Sequence, residues 1–367
     1  MESTDVFVIG GGPAGLAAAI AARQQGFRVM VADGSKPPID KPCGEGLMPD
    51  GMTALRRLGV SFESNECHPL RGVRFIASGL AADAEFPGTC GFGVRRTTLH
   101  RIMTERAQSL GIEFLWRTAV TRISAETVCL GNRRVDAKWI VGADGGNSRV
   151  RRWANLDACY RKDFRYARRR HYRIAPWSDH MEVYWGQRCQ IYVAAVSDEQ
   201  ICVGLMSHDS KLRLDEALHG FPELDARLHP AAAASAERGE LSVTRKLKRV
   251  CRANVVLIGD ASGAVDAVTG EGLSLAFGQA LLLAGCLRED NLDRYQKEHR
   301  RLAVRPLLMA KLMLTLDGRP RLQRRTLQVF RRRPEIFRRM VALHVRTLSP
   351  LHLALDGLTL GWGLLTA

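Results

Sequence analysis

Residues 5–33 read DVFVIGGGPAGLAAAIAARQQGFRVMVAD. Val6 to Ile9 is a short apolar run suited to a buried parallel strand. Gly10, Gly12 and Gly15 follow in G-x-G-x-x-G order. Pro13 to Gln25 is Ala-rich, with Ile20 its only β-branched residue, which predicts a helix. Arg28 to Ala32 is the next strand, and Asp33 closes it. Gly10 makes the tight turn, Gly12 lets backbone approach a pyrophosphate, and Gly15 lets the helix lie close to the strand. Pro13 and Ala14 begin the helix whose free N–H groups and positive dipole end favour phosphate. Asp33 falls where an acid accepts hydrogen bonds from a ribose 2′-OH. Glycines in this strand, helix and acid context specify a Rossmann-type α/β fold that binds a dinucleotide.

The chain has 367 residues, enough for two or three domains and a large core. It enters a strand within its first residues, so no signal peptide is expected. The most apolar long run, Leu351 to Leu365, is broken by His352, Asp356 and glycines, so no membrane span is expected. The nine cysteines are scattered and form no C-x-x-C, which predicts reduced thiols in a cytoplasmic protein, with neither a disulfide framework nor a metal site. The net charge is +16, and residues 291–367 carry 16 Lys and Arg against 5 Asp and Glu, a net +11. No nucleic-acid motif accompanies this charge, so no nucleic-acid partner is expected. The basic residues alternate with Leu, Phe, Val and Met at helical spacing. That pattern fits either peripheral contact with anionic lipid or a solvated helical face.

Further along, Lys41 to Gly51 reads as a shaped loop before the helical MTALRRLG. Val73 to Ala77 and Ala84 to Phe86 read as strands. A helix is expected from Arg95 to about Leu110, with Thr97 or Thr98 as its cap. Strands follow at 113–116, 119–124, 127–130 and 139–141, then the turn GADGGNSRVRR at 142–152. Residues 156–245 are largely strand-like, with a helix near Leu212 to His219. Val255 to Ile258 precedes GDASGAVDAVTGEG and a long helix. The remainder reads as helical hairpins over Leu292 to Thr315, Arg319 to Arg331 and Glu335 to Leu348. The expected organisation is interleaved: a dinucleotide-binding domain from 1–70, 91–155 and 246–290, a β-sheet substrate domain from 71–90 and 156–245, and a helical segment over 291–367.

Three stretches in order, G-x-G-x-x-G, GADGGNSRVRR and VVLIGDASGAVDAVTGEG, resemble the FAD-dependent oxidoreductase superfamily with the aromatic hydroxylase fold. That superfamily contains class A flavin monooxygenases, flavin halogenases and geranylgeranyl reductases. The resemblance implies a glutathione reductase-like FAD-binding domain. It implies that Gly10, Gly12, Gly15 and Asp33 hold the ADP half of FAD and that Arg96 contacts it. It places Asp144 and Gly145 near the pyrophosphate, in a motif tied to NADPH or NADH use, and Asp260 after Gly259 on the ribitol chain. Gly270 and Gly272 would bring a helix N-terminus to the isoalloxazine, where it stabilises the anionic reduced ring. In isolation Asp144 reads as a turn acid and Asp260 as a helix cap; it is their order with the first motif that carries the reading.

The stretches Lys41 to Leu47 and Thr269 to Gly272 resemble the geranylgeranyl reductase branch. That branch's Tyr-x-Trp-x-Phe-Pro prenyl-pocket stretch is replaced here by Ile191 to Ala195. Hence the expected function is an NAD(P)H-linked FAD monooxygenase acting on a polyketide-, quinone- or isoprenoid-like substrate. The alternatives are an ene-reductase of the geranylgeranyl reductase type and a flavin-binding protein without turnover. Cys43, Glu45 and Glu271 are the candidate catalytic groups, because their loops reach toward the flavin. Two of them also have a structural reading, Cys43 as buried packing and Glu271 as a carboxylate at a helix N-terminus. Tyr184, Trp185, Tyr192, Val193 and Leu205 are expected to line an apolar pocket.

Overall fold

The computed structural model describes residues 2–347, apart from the side chains of residues 161–163. The run Leu351 to Leu365 and the end of the 291–367 segment lie outside the described residues.

The first sheet is built on Glu2–Ile9, whose Val6, Phe7 and Val8 are fully buried. Its strand order is Cys251–Arg252, Val255–Leu257, Arg133–Gly142, Glu2–Ile9, Val29–Asp33, Glu113–Trp116. The five strands from Val255–Leu257 to Glu113–Trp116 pair in parallel, and a hairpin over Arg122–Ser124 and Thr127–Leu130 joins Arg133–Gly142. Helix Pro13–Gln24 follows the glycine turn and buries its Ala-rich face against the helix Gly272–Arg288. Small side chains allow that close approach.

The second sheet is mixed. Its order is Ala232–Ala233, Cys159–Arg173, Gln200–Ser207, Cys189–Ser197, His180–Trp185, Gly72–Ala77, Leu80–Glu85, with Arg238–Leu247 also paired to Cys159–Arg173. The two long strands Cys159–Arg173 and Arg238–Leu247 fall almost wholly in the span expected to be largely strand-like, but charged side chains interrupt their apolar alternation and hide their individual bounds. One face of this sheet packs under the short helices Leu214–Leu218 and Pro222–Leu228. Part of the opposite face packs under the C-terminal helices Leu292–Leu316, Pro320–Arg332 and Pro334–His344. There Phe75 stacks on Trp185 at 4.7 Å and on Phe337 at 4.9 Å, and Phe337 stacks on Phe330 at 4.5 Å.

Three local expectations change. The stretch Lys41 to Gly51 is not all loop: Gly46–Leu47 pairs with Gly91–Gly93, and helix Pro49–Arg57 begins inside it at a proline suited to a first turn. The helix expected from Arg95 spans Arg96–Ser109, and neither Thr97 nor Thr98 caps it. The five expected pocket residues divide between two faces, since neighbours along a strand point to opposite sides. Trp185 and Tyr192 belong with the C-terminal helices, whereas Tyr184, Val193 and Leu205 pack beneath the short helices.

Candidate functional site

The first glycine turn has the geometry its spacing predicts. Gly10 has φ +111°, and a Cβ there would lie 2.4 Å from Ala143 O. A Cβ on Gly15 would lie 1.8 Å from Gly10 O, so the helix can approach the strand only without one. A Cβ on Gly12 would meet nothing within 4 Å. Asp33 accepts the N–H groups of Gly11 and Ser35, each at 2.7 Å. It thereby braces the turn, and its carboxylate keeps lone pairs for a further donor. His100, which the sequence reading passed over, reaches Gly11 O at 2.9 Å, and burial pushes its pKa down.

The second and third motifs close around this turn. Asp144 Oδ2 accepts the N–H groups of Arg149 and Val150 at 2.6 and 3.2 Å, and its buried Oδ1 has no protein partner. Gly145 has φ +77° and open space where a side chain would stand. Gly259, at φ +59°, approaches helix Pro13–Gln24 so closely that a Cβ would lie 2.7 Å from that of Ala14. Asp260 pairs with Lys41 at 3.0 Å, and Glu240 pairs with the same ammonium at 2.9 Å. Burial opposes the Lys41 charge, but the two carboxylates outweigh it and hold the pKa above its ordinary value. Gly270 has φ +66°, and Gly272 opens onto free space at the start of helix Gly272–Arg288, with Glu271 as its N-cap residue.

The loop between Lys41 and Gly46 is held by a buried charge cluster. Glu45 adopts φ +60° and is 2% exposed. Its Oε1 accepts the Arg96 N–H at 3.0 Å, so the helix Arg96–Ser109 is capped from this loop. Its Oε2 lies 2.5 Å from His171 Nε2. Arg169 Nη1 lies 2.9 Å from His171 Nδ1 and can only donate, so Nδ1 accepts and Nε2–H points to Glu45. Burial lowers the His171 pKa, in keeping with that neutral tautomer. Arg169 also donates to Asp40 at 2.6 Å. Glu45, His171 and Cys202 bring their donor atoms within 4.8 Å of one another, a spacing that suits a metal ion. Yet the guanidiniums of Arg95 and Arg169 stand 3.8 and 3.9 Å from Glu45, and their charge favours the hydrogen-bonded cluster over a dication. Cys43 is half-buried, and its Sγ accepts the Glu45 N–H at 3.4 Å.

Sequence reasoning missed His171, Arg169, Gln279, His299 and His344. His171 and Arg169 had one signal, charged residues at alternate positions of a strand. The other three act across long chain separations and had none. Gln279 takes the Gly259 N–H on its Oε1 at 2.8 Å, which turns its amide nitrogen toward His299 Nε2 at 3.0 Å.

Arg96 Nε, Asp144 Oδ1, Thr269 Oγ1, Glu271 Oε2 and Ser274 Oγ are all buried without a protein partner. Orphaned atoms of this kind, with open cradles at Gly12, Gly145 and Gly272, fit a dinucleotide with phosphates, ribose hydroxyls and ring carbonyls to satisfy them. Fold and site thus define a dinucleotide-binding flavoprotein. The chain belongs to the FAD binding domain family, which matches residues 3–203. It is an FAD-dependent oxidoreductase. The menaquinone reductase of Mycobacterium tuberculosis is 27% identical over 332 residues, covering 80% of this chain and 78% of the relative. The digeranylgeranylglycerophospholipid reductase 1 of Methanothermobacter thermautotrophicus is 28% identical over 301 residues, covering 74% of each chain. A flavoprotein/dehydrogenase from Cytophaga hutchinsonii shares the fold with TM-score 0.78 at 18% identity, over 94% of this chain and 93% of its own. A probable FAD-dependent monooxygenase from Pseudomonas aeruginosa shares it with TM-score 0.73 at 21% identity, over 87% and 98%.

Two outcomes are expected. Gly12→Val has room in the protein alone but fills the space facing the turn. It should give a folded, colourless protein, checked by circular dichroism and by the flavin absorbance after FAD is added. His299 is held at about 4 by burial, below its unfolded value of 6.5. The unfolded chain therefore binds this proton first as pH falls, so stability is constant above pH 6.5, is lost between 6.5 and 4, and levels off below. The loss amounts to about 3 kcal/mol. Urea unfolding of wild type and His299→Gln across that range should show a difference with this shape.

Proposed function

We propose that this protein uses FAD and NADPH or NADH to reduce a carbon–carbon double bond in a lipophilic, isoprenoid-type substrate. The observation that carries this reading is Glu271. It is a buried carboxyl at the N-cap of the helix beginning at Gly272, one oxygen has no hydrogen-bond partner, and burial raises its pKa. Burial favours the protonated form of this carboxyl, the form that can give up the proton an alkene reduction consumes. FAD, when bound and reduced by NADPH or NADH, would supply the hydride to one carbon of the double bond. Glu271 delivers its proton to the other carbon and becomes a carboxylate, and the positive helix end beside it eases the new charge. Trp185 and Tyr192 are packed between the second sheet and the C-terminal helices, an apolar, aromatic layer that helps exclude water. Cys43 and Glu45 fall into different roles. Glu45 has both oxygens engaged and positions the loop, while Cys43 is free to touch substrate or cofactor. The reductases related to this chain at 27–28% identity support the same reaction class.

A second reading, monooxygenation, is favoured by one observation: the strand residues Ile191 to Ala195 stand where the prenyl-pocket stretch of the reductases is expected. One experiment separates the two. The FAD-loaded protein is incubated with NADPH or NADH and an isoprenoid quinone, first without air and then with it. Reduction predicts a product heavier by two hydrogens without oxygen, and Glu271→Gln should slow product formation by about 100-fold or more while nicotinamide still bleaches the flavin. Product appearing only in air, with oxygen consumed, would establish the second reading instead.

A lipophilic substrate brings a membrane surface with it. No helix among the described residues is long and apolar enough to cross a bilayer. Peripheral contact through exposed Arg321, Arg324, Arg331 and Arg332, on the helix Pro320–Arg332, is proposed. Replacing these four arginines with Gln should abolish co-sedimentation with anionic vesicles; unchanged co-sedimentation would refute it.

A further inference from the structure

The last described helix, Pro334–His344, ends on a histidine that enters the site from the far end of the chain. His344 Nε2 lies 3.1 Å from Thr269 O, and Nδ1 lies 3.4 Å from Glu271 Oε2. A carbonyl oxygen can only accept, so the Nε2 proton belongs to that bond. In a neutral imidazole, Nδ1 then presents a lone pair to a carboxyl oxygen. The arrangement is satisfied by one proton between the two groups, held either on Glu271 or on His344. No protein hydrogen bond competes for Glu271 Oε2. The side chain of Glu271 is 3% exposed and that of His344 13%, so His344 stands on the solvent side of the pair.

We infer that His344 is a positioning residue that shares one proton with Glu271 and reloads it from solvent after each turnover, so that the C-terminal helix completes the reactive site. The inference rests on Glu271 being the acid of the proposed reduction. After Glu271 has given its proton to substrate, hydronium from solvent protonates the neutral His344 at Nδ1, and the imidazolium passes that proton to Glu271 Oε2. The imidazole returns to its neutral form, so one solvent proton is consumed for each proton delivered. The surrounding charges are those of Asp50 and Arg346, a pair 3.4 Å apart. Asp50 favours the protonated carboxyl, and His344 and Arg346 oppose it, while burial is the largest influence and favours protonation. Asp266 caps the Ala267–Thr269 turn by accepting the Val268 N–H at 2.9 Å, next to the Thr269 carbonyl that His344 meets.

The test uses His344→Gln, whose amide can keep the bond to Thr269 O but has no titrating nitrogen at the Nδ1 position. The full-length protein carries carboxyl-labelled glutamate, and the Glu271 resonance is assigned by its loss in Glu271→Gln. NMR titration without substrate should show Glu271 losing its proton at higher pH in His344→Gln than in wild type, because the cation opposite is gone. Steady-state turnover of His344→Gln should fall about tenfold or more with KM unchanged. Exogenous imidazole should restore part of the rate. An identical Glu271 titration in the two proteins would overturn the pair. A shifted titration with unchanged turnover would overturn the relay. Full turnover by Glu271→Gln would instead defeat the proposed acid while leaving the titration result standing.

Discussion

The site depends on one close approach. The first turn of helix Pro13–Gln24 lies so near the end of strand Glu2–Ile9 that no atom fits between Gly15 and the Gly10 carbonyl. That contact aims a row of free backbone N–H groups and the positive end of a helix at one point in space. Gly259 then closes on Ala14, and Asp33 ties the turn to the neighbouring strand. Widening the approach by a methyl group would shift each of these neighbours, because interiors are too densely packed to absorb it.

Buried charges register the remaining parts on this centre. Arg169 and His171 rise from the second sheet to meet Asp40 and Glu45 of the cysteine-bearing loop. Arg165, 2% exposed, meets Asp266, whose other contact caps the turn before Gly270 and Gly272. Gains from such pairs are largely offset by desolvation, so they add little net stability. Breaking one, however, leaves an uncompensated charge in low dielectric. That asymmetry disfavours any slip of the second sheet against the loop. The same cluster accounts for a glutamate at φ +60°: its backbone strain is balanced by contacts that no relaxed conformer could make.

The C-terminal helices do more than cover the second sheet. The stacked series Phe330, Phe337, Phe75 and Trp185 fastens them to its face. This places His344 beside Glu271, 73 residues away in sequence. A histidine brought in by aromatic packing ties the geometry around Glu271 to the integrity of a helix that looks, in sequence, like a basic appendage.

By itself the sequence determined the parallel sheet, the first helix, the three cofactor motifs and their glycines. These rest on short-range steric and hydrogen-bonding needs that a few adjacent residues express completely. The tight turn expected at Gly10 and the close helix–strand approach expected at Gly15 each have a matching distance in the fold. Tertiary structure alone decided which carboxylates are free and which are engaged. Glu45 and Glu271 look alike in sequence, each flanked by glycines. One is saturated by the Arg96 N–H and His171, and the other keeps an oxygen open beside His344. It also decided that Tyr184 and Trp185, adjacent in the chain, serve opposite faces. The physical reason is the same in both cases. Proton affinity and access depend on burial and on partners contributed by distant strands and helices, and no local pattern encodes them.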